Sequence, residues 1–233
     1  MPMNEYWNRN FLLAYAASFI SLFGSKLLMM SYVAYVYAAS SSAALASIVF
    51  AAEWTCSLVV GLFGTRFIDR QNAKHLLIKL NAIAAVVTLS FAFFTDIDKY
   101  RYAIAVIIAR ALLSHAVNSA RIKALVQFFS KEETDLFSAV FNSSLFIAIA
   151  LAYAVGIFIQ SIVSFTLIVG IDSATFLVAA GLFALVRPNA ERLAESVAAS
   201  RGTASKRFDH LKLAWSSIVR NRNLSSAVFY IIL

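Results

Sequence analysis

The stretch Phe165-Thr-Leu-Ile-Val-Gly-Ile-Asp-Ser-Ala-Thr-Phe-Leu-Val-Ala-Ala-Gly-Leu-Phe-Ala-Leu-Val186 is twenty-two residues long and carries one charge, Asp172. Wound as a helix it rises about 33 Å, enough to cross the roughly 30 Å of hydrocarbon in a bilayer. Cutting the rest of the chain at its charged and turn-rich points leaves five more pieces of spanning length: Phe11 to Tyr37, Ala43 to Thr65, Leu76 to Thr95, Tyr102 to Ala120 and Phe137 to Gln160. A further apolar piece, Leu224 to Leu233, stops after ten residues. The reading is an all-α, polytopic membrane bundle of six transmembrane helices and the start of a seventh.

Composition agrees. Of 233 residues, 61% are hydrophobic and 14% charged, and the mean hydropathy is +0.77. Soluble domains are about half apolar and about a quarter charged, so this chain has too little polar surface to face water all round. The first apolar run is too long for a cleaved leader and is read as a retained span. Cys56 is the only cysteine and lies in an apolar run, which excludes an intramolecular disulfide or a thiolate zinc site and suits a packed hydrophobe.

Short joints, between spans one and two, three and four, and five and six, alternate with joints rich in Lys and Arg. With the N-terminus in the cytoplasm, 16 basic residues fall inside against Lys99 and Arg101 outside, leaving Lys26 and Arg110 within spans. That is a strong positive-inside bias. It accounts for the net charge of +8 through topology and contact with anionic membrane lipid, so no nucleic-acid partner is inferred.

Residues 1–187 thus form an N-terminal six-helix half. Residues 188–223 read as a cytoplasmic linker, because Arg187 to Arg207 is rich in Ala, Ser and charge. Leu211, Trp215, Ile218 and Val219 then recur at helical spacing among Lys212, Arg220 and Arg222, as in an amphipathic helix on the inner membrane surface or a solvated linker helix. Residues 224–233 begin the seventh span. Six spans, a basic linker and a new span suggest one half of a two-half transporter, each half a pair of inverted three-helix repeats, although the sequence displays no obvious repeat.

Ionisable residues inside spans are costly and are candidates for function. At 1.5 Å per residue, Lys26 lies about 22 Å into the first span, and Glu53 about 18 Å above the inner end of the second. Arg110 lies roughly 15 Å above the inner end of the fourth span and Asp172 roughly 21 Å above that of the sixth. Two cations and two anions near the midplane, on four helices, can neutralise one another around a central cavity for substrate and protons. In that reading Glu53 or Asp172 exchanges a proton, with Arg110 or Lys26 beside it. The shared depth of Glu53 and Arg110 predicts that these two are coupled, and the alternative for all four is fixed pairs that order the bundle. His115, nearer the inner edge, is read as a packed imidazole or a relay. No phosphate loop, metal-spaced histidines or nucleophile elbow occurs, so neither an enzyme nor a bound cofactor or metal is predicted.

Between spans two and three, Gly61-Leu-Phe-Gly-Thr-Arg-Phe-Ile-Asp69-Arg70-Gln-Asn-Ala-Lys74-His resembles the inner-loop signature of the major facilitator superfamily. Asp69, Arg70 and Lys74 match it, with Thr65 and Asn72 standing where glycines are usual. Arg110 matches the buried arginine that proton-coupled members carry, with Ser114 in place of the following glycine. Ser21-Leu-Phe-Gly24, Arg121-Ile-Lys-Ala-Leu, Ser130-Lys-Glu-Glu133, Asn142 and Asp172-Ser-Ala-Thr-Phe176 look like the exporter branch that includes the enterobactin exporter and macrolide efflux proteins. Where antiporters have a fifth-span Gly-Pro, this chain has Ala152-Tyr153, with Gly156 the small residue that follows.

The resemblance implies a twelve-span architecture, so the missing half is expected either from further residues of the same chain or from a second subunit. It implies a secondary transporter of the bacterial inner membrane, driven by a proton gradient and exporting a small amphipathic substrate such as a siderophore, an antibiotic or a peptide-like metabolite. Asp69, Arg70 and Lys74 are expected to form an inner gate, at the cytoplasmic end of two helices, where a charge can pair across a closing interface. Uptake of a siderophore or nutrient by the same fold is the alternative, and a non-transporting scaffold or truncated remnant is the alternative from another class.

Overall fold

The computed structural model describes residues 4–94, 100–129, 131–159 and 162–187. The linker, the start of the seventh span and Lys99 lie outside the described residues. Those described form seven α-helices: α1 (Asn4–Ser40), α2 (Ala43–Val59), α3 (Thr65–Asp69), α4 (Ala73–Ser90), α5 (Tyr100–Phe128), α6 (Lys131–Ile159) and α7 (Phe165–Leu185). A π-helical turn, Val60–Gly64, joins α2 to α3, so the seven helices make six rods and each expected span falls on one of them.

Five rods are long and apolar enough to cross a membrane. The exception is α5, expected as the span Tyr102 to Ala120. It is 29 residues long, but it gathers Arg110, Ser114, His115, Asn118, Ser119, Arg121 and Lys123, a polar load suited to the middle of a bundle rather than to lipid.

Local chemistry sets the joints. Ser41 takes φ 52 and its N–H donates to Tyr37 O at 2.8 Å, a left-handed stop for α1. Ser42 then caps α2, accepting from Leu45 N at 3.3 Å. Asn72, which replaces the glycine of the loop signature, caps α4 by accepting from Lys74 N at 2.9 Å. Ser164 caps α7, accepting from Leu167 N.

The rods pack as two interlocked triplets. Among them α1 lies on α7, α6 and α2, α5 lies on α4, α2 and α6, and α4 lies on α7. Exchanging α1 with α5, α2 with α6 and α4 with α7 turns this set of pairs into itself. An odd number of crossings per unit reverses the direction of the second unit, so the two triplets are inverted repeats.

Apolar clusters close both ends of the bundle. At the end where α1 begins, Phe11 stacks on Phe137 with ring centroids 4.4 Å apart, and Phe129 lies 4.5 Å from Phe137. At the other end Phe91 and Phe165 meet edge to face at 5.2 Å, with Tyr32 against both. Between the clusters lies a polar layer, and α1 approaches α7 closely there. A Cβ on Gly24 would overlap Thr175 Oγ1 and sit 2.8 Å from Asp172 Oδ1, so the absent side chain makes room for the carboxylate.

Candidate functional site

The four charges expected at the midplane, each delivered by a different rod, meet in this layer as two ion pairs. Lys26 Nζ is 2.7 Å from Glu53 Oε1. Arg110 donates to Asp172 Oδ2 from both Nη2, at 2.6 Å, and Nε, at 3.0 Å, and Nη2 also donates to Ser25 O at 3.0 Å. The direct partner of Glu53 is thus Lys26 and not Arg110, which shares its depth: depth along a helix says nothing about which neighbour a side chain faces. Glu53 lies on the α2 face turned to α1, while Arg110 points between α1 and α7.

His115 is drawn into the first pair. Its Nε2 is 3.1 Å from the Glu53 backbone carbonyl and 3.8 Å from Glu53 Oε1. Glu53 therefore contacts a lysine and an imidazole, while Asp172 is committed to Arg110 and is 1% exposed.

A cavity of about 240 Å³ opens beside the layer. Ser21, Ser25 and Lys26 of α1, Ser57 of α2, Ser114, His115, Asn118 and Arg121 of α5 and Asn142 of α6 supply its polar wall. Leu22, Trp54, Leu145, Phe146 and Phe176 supply apolar surface. Of the four expected cavity residues only Lys26 reaches the lining. Glu53 stands behind Lys26 and His115, and Arg110 and Asp172 are sealed between helices.

Arg121 is the main departure from the sequence reading, which counted it among basic loop residues. It is 3% exposed, because α5 runs on to Phe128 and carries it into the bundle. Nη2 donates to Ser21 Oγ at 2.9 Å, whereas Nε and Nη1 have no hydrogen-bond partner. Spacing carries a signal for it: Arg110, Ser114, Asn118 and Arg121 recur at i, i+4, i+8 and i+11, one face of a helix.

The expected gate residues lie at the end where α1 begins. Asp69 and Arg70 are exposed at the close of α3. Lys123 of α5 donates from Nζ to the backbone carbonyls of Ile68, Asp69 and Gln71, capping that helix end. Gln127 accepts from Ala73 N at 2.9 Å. Lys74 donates to Val186 O at 2.7 Å, and Asn10 holds Arg187 through a reciprocal pair of hydrogen bonds. The signature loop thus ties α3 and α4 to α5 and to the exit from α7.

This combination, an inverted-repeat helical bundle with charges buried beside a polar cavity, defines a multi-pass membrane protein of transporter type. The family model described as Major Facilitator Superfamily matches residues 14–233. The chain belongs to that superfamily, whose members are secondary transporters rather than enzymes. No curated protein and no solved structure matches the chain.

Proposed function

We propose that this chain is the N-terminal half of a proton-coupled exporter of small amphipathic compounds in a bacterial inner membrane, working as an antiporter. The observation that carries the reading is the Lys26–Glu53–His115 cluster at the wall of the cavity. A carboxylate held by a lysine, with an imidazole 3.8 Å away, exchanges a proton when the lysine is drawn off by substrate or by a change of conformation. Asp172 is held by two hydrogen bonds from Arg110 and acts as the fixed element, which leaves Glu53 as the proton carrier.

The remaining pieces follow from the same reading. Residues 188–223 form the cytoplasmic linker and 224–233 open the seventh span, while a C-terminal half, from the same chain or a second subunit, covers the open side of the cavity where Trp54 and Phe146 are exposed. The N-terminus and the basic joints face the cytoplasm, against anionic lipid. Asp69, Arg70 and Lys74 act as the inner gate, the last through its hold on Val186. Membership of the exporter branch rests on the segments quoted above, and the retained midplane charges favour transport over a scaffold.

Transport in proteoliposomes, with and without an imposed pH gradient, is the test. Glu53→Gln is expected to abolish the response to the gradient while leaving substrate exchange. An unchanged response removes Glu53 from the mechanism.

A further inference from the structure

Among the described residues, the polar layer holds one cation more than its pairs account for. Glu53 is occupied by Lys26, and Asp172 by Arg110. Arg121 lies in the cavity wall with a single protein hydrogen bond, to Ser21 Oγ, and two guanidinium nitrogens unsatisfied. One turn further along α1, the buried hydroxyl of Ser25 also lines the cavity without a hydrogen-bond partner. A guanidinium stays charged at any physiological pH, and a buried charge without a counterion is strongly unfavourable. A planar fork with free N–H donors suits the two oxygens of a carboxylate. The lining also offers apolar surface, from Trp54 of α2 and from Leu145 and Phe146 of α6.

We infer that Arg121 and Ser25 form an anion subsite in this cavity, and that the transported substrate is an amphipathic carboxylate whose headgroup lies on Arg121 and whose apolar body lies against Trp54 and Phe146. The inference deepens the exporter reading and rests on it for the word substrate. Binding measured without any gradient separates the two: loss of transport with carboxylate binding intact fails the exporter reading alone, and transport without Arg121-dependent binding fails this one alone.

Trp54 supplies the readout. In the purified chain with Trp7→Phe and Trp215→Phe, the fluorescence of Trp54 is titrated with 3-phenylpropionate, and with phenethylamine and 3-phenylpropanol as cationic and neutral counterparts. The carboxylate is expected to bind tightest. Arg121→Met is expected to weaken it about tenfold to a hundredfold, the range of a charge-assisted hydrogen bond lost from a buried site, while leaving the alcohol unchanged. Thermal unfolding of Arg121→Met is expected at or above the parent midpoint, because an unpaired buried charge is removed. Should that variant not fold, Arg121→Lys retains the charge without the fork and is expected to weaken the carboxylate several-fold. The inference is overturned if phenethylamine binds more tightly than 3-phenylpropionate, or if the folded Arg121 variant binds the carboxylate within about twofold of the parent. Displacement of 3-phenylpropionate by phosphatidylglycerol, dependent on Arg121, assigns the subsite to a lipid headgroup and overturns the substrate assignment.

Discussion

Removing one member of the Arg110–Asp172 pair should cost far more than removing both. Asp172 is 1% exposed and Arg110 is 4% exposed, and the carboxylate takes two hydrogen bonds from the guanidinium through Oδ2. Asp172→Asn keeps the shape but leaves a guanidinium buried with Ser25 O as its charge-independent partner. Breaking such a pair is worth about 3–5 kcal/mol. At about 2–4 °C per kcal/mol for a chain of this size, the unfolding midpoint should fall by about 6–20 °C. Arg110→Met should fall by a similar amount, since it strands the carboxylate beside Gly24. The double substitution Arg110→Met with Asp172→Leu leaves no buried charge and should recover at least half of either loss, a coupling that a double-mutant cycle measures directly. The single cysteine provides the assay. Cys56 is buried, so a thiol-reactive dye reports its exposure as the bundle opens on heating. Midpoints of the single variants within about 2 °C of the parent, or a double variant as unstable as the two losses added, would show that the pair does not hold the bundle.

Two further outcomes concern topology and the gate. Asp98→Cys should react with an impermeant thiol reagent added to intact cells and Ser200→Cys should not, in a Cys56→Ala background, and the reverse pattern overturns the orientation inferred from the basic residues. Asp69→Asn should slow turnover more than it weakens substrate binding, as a gate residue remote from the cavity would, and lost binding with normal turnover argues against that role.

Legibility divides along physical lines. Among the described residues the number and order of the membrane rods were readable in the sequence, because a bilayer imposes one length on every span and penalises each charge within it, which leaves a one-dimensional signal. Even so, among the described residues five rods rather than six pass on length and hydropathy alone, since α5 carries polar residues that are buried in the bundle, as Arg110 is, or line the cavity, as Ser114, His115 and Asn118 do. The pair of triplets followed from the number and grouping of the spans, whereas no residue-by-residue repeat was legible, because inverted repeats preserve packing geometry and not residue identity.

Depth was also a sequence property, and it brought Lys26, Glu53, Arg110 and Asp172 to one layer as candidates. Which cation meets which carboxylate depends on rotation about each helix axis and on which rods touch, and neither is encoded locally. Hence Lys26, not Arg110, holds Glu53, and Gly24 makes room for Asp172. The same reason hid Arg121. Its place after an apolar run resembled a loop charge, and only the continuation of α5 and the seat of its side chain against Ser21 turned it inward. By itself the sequence determined a membrane bundle with charges inside its spans, because desolvation acts on every residue singly. The tertiary structure alone decided how those charges pair, and that Arg121 joins the cavity lining with no acidic partner among the described residues, because pairing is a property of two side chains brought together from different helices.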